Sequence, residues 1–198
     1  KREKAVSSKG NILDTWIEAR TEQLVETVTK CLDVYDTVHA TRAIQEYVDD
    51  LSTWYLRRSR KRKDAAFFET LSQSMFTVSI VLAPFMPFFA EALYGALHSR
   101  IKKPETAESV HLVSWPKIKF SLGTAERKKL IEAMALTRRL ASSGLAKRAT
   151  AGIKVRQPLA VLKISVKLGK EFCSILADEV NVKAIVFDAK IKDGVKLD

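Results

Sequence analysis

The pattern of apolar and polar positions divides the chain into a long helical part and a short alternating part. Apolar residues recur three and four positions apart through five segments, and this spacing is typical of amphipathic helices that pack into a bundle. We predict helices over residues 11–31, 37–55, 65–83 and 87–100, and a fifth from about residue 124. Their predicted core-facing side chains include Leu13, Trp16, Ile17, Leu24, Val28 and Cys31 in the first helix, Ala40, Ile44, Tyr47, Val48, Leu51 and Tyr55 in the second, Phe68, Leu71, Met75, Val78 and Leu82 in the third, and Leu130, Met134, Thr137, Ala141 and Leu145 in the fifth.

Polar residues are expected to set the ends of these helices. We predict that Asn11 caps the first helix and Thr37 the second, because a short side-chain oxygen can accept from an unpaired N–H of the first turn. Asp50 is predicted to face water on the second helix. Residues 102–117 are predicted to form a loop, with a short extended piece before Pro116.

After the fifth helix the spacing changes from helical to alternating. Leu162, Ile164 and Val166 alternate with polar residues, as in a half-buried strand. Residues 170–180 predict a short helix and residues 183–187 a second strand. The predicted fold class is therefore mainly α, with a helical bundle over residues 1–150 followed by a small α+β module over residues 151–198.

The net charge adds a functional constraint to this architecture. The chain carries a formal charge of +11 and has a pI of about 9.7. A balance this basic favours a polyanionic partner, either nucleic acid or an anionic membrane surface. The apolar run over residues 75–97 is long enough to span a membrane, but Pro84 and Pro87 interrupt it and Glu91 lies within it. We therefore predict two buried helices there rather than a membrane span.

The remaining chemistry-bearing residues show no recognisable catalytic arrangement. Cys31 and Cys173 lie far apart and form no C-x-x-C pair, so we predict no metal site and a cytoplasmic protein. The sequence contains no Walker loop and no G-x-G-x-x-G. The three histidines show no ligand spacing, and Ser142 and Ser143 have no base beside them.

The stretch WYLRRSRKRKD, residues 54–64, concentrates the positive charge. If the second helix continues through it, Trp54, Arg57, Arg58 and Lys61 share one face, where cations would meet phosphates and the indole would stack on a base. The alternative is that the cations complement a helix C-terminus and that Trp54 packs at the edge of the core. The basic fifth helix favours nucleic-acid binding, but the stretch alone leaves both interpretations open.

Five motifs in order identify a resemblance. ILDTWIEARTEQLVETV, AIQEYVDDLSTWYLRRSR, LAPFMPFFAEALY, ESVHLVSWP and GIKVRQPL together resemble the C-terminal anticodon-binding region of the isoleucyl-tRNA synthetases, which are class I aminoacyl-tRNA synthetases. The resemblance runs from about Asn11 to Phe187. It departs from the family pattern at Thr53, where asparagine is expected, and in the cations after Arg60, where the family often has an aromatic pair. The four-cysteine zinc site of some members does not occur.

The resemblance implies a bundle that binds the anticodon stem-loop of isoleucine tRNA, followed by a junction region. HIGH-like and KMSKS-like motifs do not occur, so we expect this chain alone to be inactive and to hold no cofactor, whereas the full-length ligase would use ATP and Mg²⁺. We expect catalytic and editing domains N-terminal to this region, no membrane, and a monomer. The tRNA-binding residues implied by the resemblance are Trp16, Arg20, Trp54, Arg57, Arg58, Arg60, Lys61, Lys154, Arg156 and Gln157.

Two alternatives to this function remain at the level of sequence. The chain could be the same region of a valyl- or leucyl-tRNA synthetase, which differs in the tRNA bound. It could also be a basic helical module that docks an acidic protein. For Lys154 and Arg156, support of the turn before the strand is the alternative to tRNA contact.

Overall fold

The computed structural model describes residues 11–98, 107–117, 122–191 and 194–197. The chain folds into two compact units, of which the first ends at Gly123 and the second begins at Thr124. The boundary predicted from the sequence lies after residue 150. In the structure the fifth predicted helix belongs to the second unit, because it packs against the helix and one strand that follow it.

The first unit consists of helices joined by short connections. Its elements are α1 (Ile12–Asp33), α2 (Thr37–Asp49), the π-helical segment (Asp50–Leu56), α3 (Arg57–Ser59), α4 (Ala65–Leu82), α5 (Pro87–His98) and a 3₁₀ turn (Val110–Leu112). Helix α1 packs against α2 and α4, and α4 packs against α5. Helix α2 continues without a break into the π-helical segment and then into the short α3. The predicted end of the fourth helix, near residue 100, lies outside the described residues.

The caps show how polar side chains begin the first two helices. The prediction for α1 is confirmed, since the backbone N–H of Leu13 donates to Asn11 Oδ1 at 2.9 Å. The prediction for α2 is wrong by one residue. Asp36, rather than Thr37, is the cap, and its carboxylate accepts from the backbone N–H of His39 at 3.0 Å. A carboxylate at this position also complements the helix dipole.

The core of the first unit follows the predicted stripe in α1, except that Cys31 is only half-buried, and it departs from the predicted stripe in α4. Along α4, Phe67 is buried at 6% exposure, whereas the predicted Phe68 is 53% exposed. The buried face of α4 carries hydroxyls that face α1, since Thr21 Oγ1 donates to Ser74 Oγ at 3.4 Å. Hydroxyl pairs of this kind escape a search for apolar periodicity. Val48 of α2, predicted as core, is also exposed.

Helix α4 has the length and the mean hydropathy, 1.3, of a membrane-spanning helix. Half of this window is buried inside the protein. Its buried positions include Thr70, Ser74 and Ser79, whose hydroxyls bond within the bundle. Length and composition are therefore weak evidence for a membrane here, since a core helix passes the same test.

The second unit is a small α+β fold that begins with a long helix. Its elements are α6 (Thr124–Thr150), β1 (Leu159–Ile164), α7 (Lys170–Val180), β2 (Val182–Phe187) and β3 (Val195–Leu197). The strands form a sheet in the order β2-β1-β3, with β1 parallel to β2 and antiparallel to β3. Helix α6 packs against α7 and β3. A Cβ at Gly144 of α6 would lie 3.1 Å from a Val180 methyl of α7, so glycine permits this close approach.

These elements confirm the predicted fold class, a mainly helical chain with a small α+β module. Leu162 and Ile164 are buried, as the alternation predicted. Val166 is not, because β1 ends at Ile164 and Val166 is 41% exposed. Strand β3 was not predicted. It is three residues long, and only one of them is buried.

Candidate nucleic-acid interface

The cations of the basic stretch lie at one end of the first unit, where α3 ends and the chain turns toward α4. Within residues 11–98, no acidic side chain forms an ion pair with Arg60, Lys61 or Lys63. All three are exposed. Their charge is therefore available to a polyanion. We call this surface the basic end, and its members are Arg57, Arg58, Arg60, Lys61, Arg62 and Lys63.

The π-helical segment changes which side chains reach this surface. Ser52 Oγ donates to the backbone carbonyl four residues earlier at 2.7 Å, and Thr53 Oγ1 does the same at 2.6 Å. Such hydroxyl bonds compete with the α-helical ladder and accompany local widening of a helix. A π-helical turn holds more residues than an α-helical turn, so the side chains after it are rotated relative to the α-helical projection.

Trp54 lies under the arginines rather than beside them. The indole is 6% exposed, and the guanidinium carbons of Arg57 and Arg58 lie 5.7 and 5.5 Å from its ring centroid. Arg57 Nε also donates to the carbonyl oxygen of Thr53 at 2.8 Å. Stacking on an indole fixes the plane of a guanidinium. Of the two alternatives for Trp54, the structure favours packing, and the packed ring positions two arginines.

Arg62 fastens the basic end to the bundle. Its guanidinium donates to both carboxylate oxygens of the buried Asp14, at 2.6 and 2.7 Å, and to Asp64 at 2.8 and 3.0 Å. Tyr55 donates its hydroxyl to Asp14 at 2.7 Å. No sequence pattern distinguishes Arg62 from its neighbours, because Asp14 lies far away in α1 and no local spacing reveals the pair. Bidentate pairing of this kind fixes geometry as well as charge.

The pKa values of these groups reflect the same ion pairs and hydrogen bonds. The Arg62 guanidinium, with the Phe67 N–H, lowers the pKa of the Asp64 carboxyl to about 2. The two carboxylates raise the pKa of Arg62 above its ordinary range. Burial, together with the hydrogen bond to Asp14, raises the pKa of Tyr55. Two carboxylates of the protein therefore neutralise Arg62, and the other cations of the basic end carry the surface charge.

The two residues predicted on α1 do not form part of this surface. Trp16 is 1% exposed, so its ring packs in the core and presents no face to a ligand. Arg20 Nε donates to Asp50 at 2.7 Å, and Arg20 also bonds Gln23. The prediction that Asp50 faces water is wrong, because this pairing holds the carboxylate at 6% exposure. Arg20 thus neutralises an acid at the start of the π-helical segment.

Asp14 also lines a cleft with acidic walls. It has a volume of about 420 Å³ and opens between α1 and α4. Burial raises the pKa of Glu18, and the neighbouring carboxylates act in the same direction. Negative charge here repels a polyanion, so a nucleic acid on the first unit is expected to use the basic end. The cleft is lined by Asp14, Thr15, Glu18, Ala66, Glu69, Thr70 and Gln73.

The remaining predicted residues belong to the second unit. Lys154, Arg156 and Gln157 lie in the connection between α6 and β1, and all three are exposed. We call residues 151–158 the basic loop. Gly152 has a φ of +67°, a conformation that glycine adopts without strain, and it lets the chain leave α6.

Arg148 of α6 holds the backbone of this loop. It is 0% exposed, and its Nη2 donates to the carbonyl oxygens of Lys154 at 2.6 Å, Val155 at 3.3 Å and Gln157. Its Nε and Nη1 are buried without a hydrogen-bond partner among the described residues. Arg148 is therefore a buried cation surrounded by carbonyl dipoles. The loop can therefore present exposed side chains from a fixed backbone.

Comparison with known proteins agrees with the motifs quoted above. The family described as "Anticodon-binding domain of tRNA ligase" matches residues 14–164. The isoleucine–tRNA ligase of Thermobifida fusca is 39% identical over 183 residues, which is 86% of this chain and 17% of that protein. The isoleucine–tRNA ligases of Clostridium acetobutylicum and Thermus thermophilus are 37% and 35% identical, over 96% and 87% of this chain.

These relatives are much longer proteins. The chain spans 17% of the Thermobifida fusca protein, 19% of the Clostridium acetobutylicum protein and 18% of the Thermus thermophilus protein. The family match covers most of the chain, including the whole basic end and the basic loop. The chain therefore belongs to the family of anticodon-binding domains of tRNA ligases.

Proposed function

We propose that this chain binds the anticodon arm of isoleucine tRNA, as the anticodon-binding region of an isoleucine–tRNA ligase. The observation that carries the proposal is the basic end, where Arg57 and Arg58 stack on a buried indole while Arg60 and Lys61 are exposed. Fixed guanidinium edges suit phosphate oxygens, which they bind with two parallel hydrogen bonds. The family membership and the names of the relatives support the anticodon arm as the partner.

The basic loop is proposed as a second contact with the same RNA. Lys154 and Arg156 offer charge, and Gln157 offers an amide that can pair with a base edge. Specific recognition of RNA relies on unpaired bases, because the grooves of an A-form duplex expose little sequence information. The anticodon loop supplies such bases.

For the whole enzyme we propose the charging of isoleucine tRNA by a cytoplasmic, monomeric ligase. Its catalytic and editing domains would lie N-terminal to this region. ATP and Mg²⁺ would belong to the catalytic domain, and no residue of this chain is proposed to hold them. The chain alone is proposed to bind tRNA without activating isoleucine.

The test is the binding of this chain to isoleucine, leucine and valine tRNAs across a salt series. Tighter binding of isoleucine tRNA that persists at moderate salt supports anticodon recognition. Equal and steeply salt-dependent binding of all three contradicts it, because phosphate contacts alone release counterions without distinguishing sequences. Binding to acidic proteins with no binding to any tRNA would favour the protein-docking alternative.

Arg58→Ala identifies the contact within this assay. We expect weaker binding to isoleucine tRNA and a salt slope smaller by about one, the value for one lost phosphate contact. The matched control is Arg42→Ala, which removes the same charge from an exposed position on α2. Arg42 lies roughly 24 Å from Arg58 along the helix, at 1.5 Å per residue. An equal change in slope for both variants would mean that net charge, and not the basic end, controls binding.

A further inference from the structure

One end of the first unit exposes large apolar side chains. Tyr35 is 91% exposed, in the turn between α1 and α2. Phe88 is 92% exposed and Phe89 is 54% exposed, at the start of α5. With rings of about 150–250 Å² each, these three expose on the order of 400 Å² of apolar surface. We call this surface the apolar end, and its members are Val34, Tyr35, Val38, Met86, Phe88 and Phe89.

Contacts between α1 and α4 bring its two turns to the same end of the bundle. Thr70 Oγ1 donates to Glu18 Oε1 at 3.2 Å, and one turn later Thr21 Oγ1 donates to Ser74 at 3.4 Å. The two helices therefore run parallel, and both continue in the same direction toward their C-terminal turns. The basic end lies at the opposite end, since Arg62 contacts Asp14 near the start of α1.

The backbone of this end is strained at Tyr35. Its φ is +59°, in the left-handed region that bulky residues rarely adopt. Tyr35 follows the last turn of α1, where the backbone N–H of Asp36 donates to the carbonyl oxygen of Cys31 at 2.8 Å, and glycine usually occupies this helix-terminating position. The chain therefore keeps an exposed tyrosine where glycine would cost less. An exposed apolar surface of about 400 Å² on a monomer is often functional.

Charge decides what kind of partner fits. Residues 31–41 and 83–90 contain no lysine and no arginine, in a chain that has 34 of them. A nucleic acid needs cations for its phosphates, so it does not fit here. An apolar protein surface does. The relatives supply the source, because this chain spans only 17–19% of their length.

We propose that the apolar end docks on an apolar surface of the ligase portion that lies outside the region matched by this chain. This inference rests on the proposed function, since it takes the chain as one region of an isoleucine–tRNA ligase. It assigns opposite ends of the first unit to different partners. The basic end contacts RNA, and the apolar end joins the region to the rest of the enzyme.

The test grafts this chain into the Thermobifida fusca relative in place of its matched region. Photoreactive p-benzoyl-phenylalanine replaces Phe88 in one graft. In a matched control it replaces Phe68, which is 53% exposed near the start of α4. After irradiation, mass spectrometry identifies the crosslinked peptides. We expect position 88 to crosslink to ligase peptides outside the graft, at least tenfold more than position 68 does.

The other outcomes overturn the proposal. They are crosslinks from position 88 to residues 124–197 of the same chain, to a second copy, or to tRNA, or no crosslinks above the control. If the first graft does not fold, the same graft in the Thermus thermophilus relative replaces it. A second measurement compares amide exchange at residues 84–90 in the graft and in the chain alone. We expect exchange at least tenfold slower in the graft, and equal exchange contradicts docking.

The crosslinks do not depend on tRNA binding, so the two proposals fail separately. Crosslinks at position 88 without a preference of the chain for isoleucine tRNA would retain docking and remove anticodon recognition. The reverse pattern would retain recognition and remove docking.

Discussion

Replacing Arg148 by methionine tests how the second unit holds its basic loop. The side chain is fully buried, and its Nη2 donates to three loop carbonyls. Methionine fills a similar volume without donors. The change therefore removes the bonds to residues 154, 155 and 157 while the core keeps most of its packing.

The magnitude follows from the donors that are gained and lost. Nη2 has two hydrogens, so at most two full bonds disappear, each worth about 1.5–3 kcal/mol for a charged donor. Against this, Nε and Nη1 are buried without a partner among the described residues, and removing each relieves about 1 kcal/mol, the low end of the range, because the three carbonyl dipoles already stabilise the charge that these atoms share with Nη2. With about 4.5 kcal/mol lost and about 2 kcal/mol relieved, the net destabilisation by Arg148→Met is expected to be about 2–3 kcal/mol.

Lysine distinguishes the hydrogen bonds from the volume. An ammonium carries three N–H donors on one atom and could serve all three carbonyls with no donor left over. We expect Arg148→Lys to cost less than about 1 kcal/mol, a typical value for a tolerated substitution. The pair of variants therefore separates donor loss from shape change.

The two units offer separate probes for this measurement. All three tryptophans, Trp16, Trp54 and Trp115, precede residue 124, so indole fluorescence reports the first unit. Amide exchange in β1 and β2 reports the second. Arg148→Met should accelerate exchange there by roughly 30- to 150-fold, the equivalent of 2–3 kcal/mol, and leave the fluorescence transition unchanged. The reasoning fails if exchange is unchanged, or if lysine is as damaging as methionine.

Two further predictions concern pH. Because the folded state raises the pKa of Glu18, its ionised form is disfavoured there, and stability declines as pH rises from 4.5 through the raised pKa. Glu18→Gln should raise the free energy of unfolding at pH 7 by at most about 1 kcal/mol, as for a partly solvated group, and leave it unchanged at pH 4. Urea denaturation at both pH values measures the change, and an equal gain at both would contradict this. The pKa of Asp64 is lowered from 3.8 to about 2, so its contribution is complete above 3.8 and is lost as pH falls toward 2. Asp64→Asn retains the cap on α4 but removes the titrating carboxyl. The urea midpoint of this variant should therefore approach that of the wild type as pH falls from 5 to 2. A constant difference between the two midpoints would show that the charge is irrelevant.

The helices could be predicted where the residues that determine them lie within a few positions of each other in the sequence. Asn11 caps α1 because its own side chain reaches the next turn, and the apolar stripe from Leu13 to Val28 repeats at helical spacing. Those signals lie within a few residues of each other. The same holds for the change to alternation in β1, where Leu162 and Ile164 are buried.

The details that shape the candidate site depend on residues far apart in the sequence. Arg62 pairs with Asp14 across 48 positions, so no local pattern marks it as different from its neighbours in the basic stretch. Arg148 is buried because the loop folds back over it, not because of its own surroundings in α6. The π-helical segment was also missed, since Ser52 and Thr53 are ordinary helix-surface residues until their hydroxyls bond backward.

Trp54 provides the sharpest distinction between a stacking residue and a positioning residue. Its ring is 6% exposed, and two guanidiniums lie over it at 5.5 and 5.7 Å, so no open face remains for a base. Trp54→Phe keeps an aromatic core residue with a smaller platform, because indole is the better partner for a cation. Binding of the anticodon stem-loop and of a plain RNA duplex should therefore weaken by the same factor, roughly two- to fivefold for the loss of about 0.5–1 kcal/mol. Fluorescence melting, with Trp16 and Trp115 still present, confirms that the variant is folded. A loss confined to the stem-loop would show that a base stacks on the indole, and the arginines would then have to move aside when RNA binds.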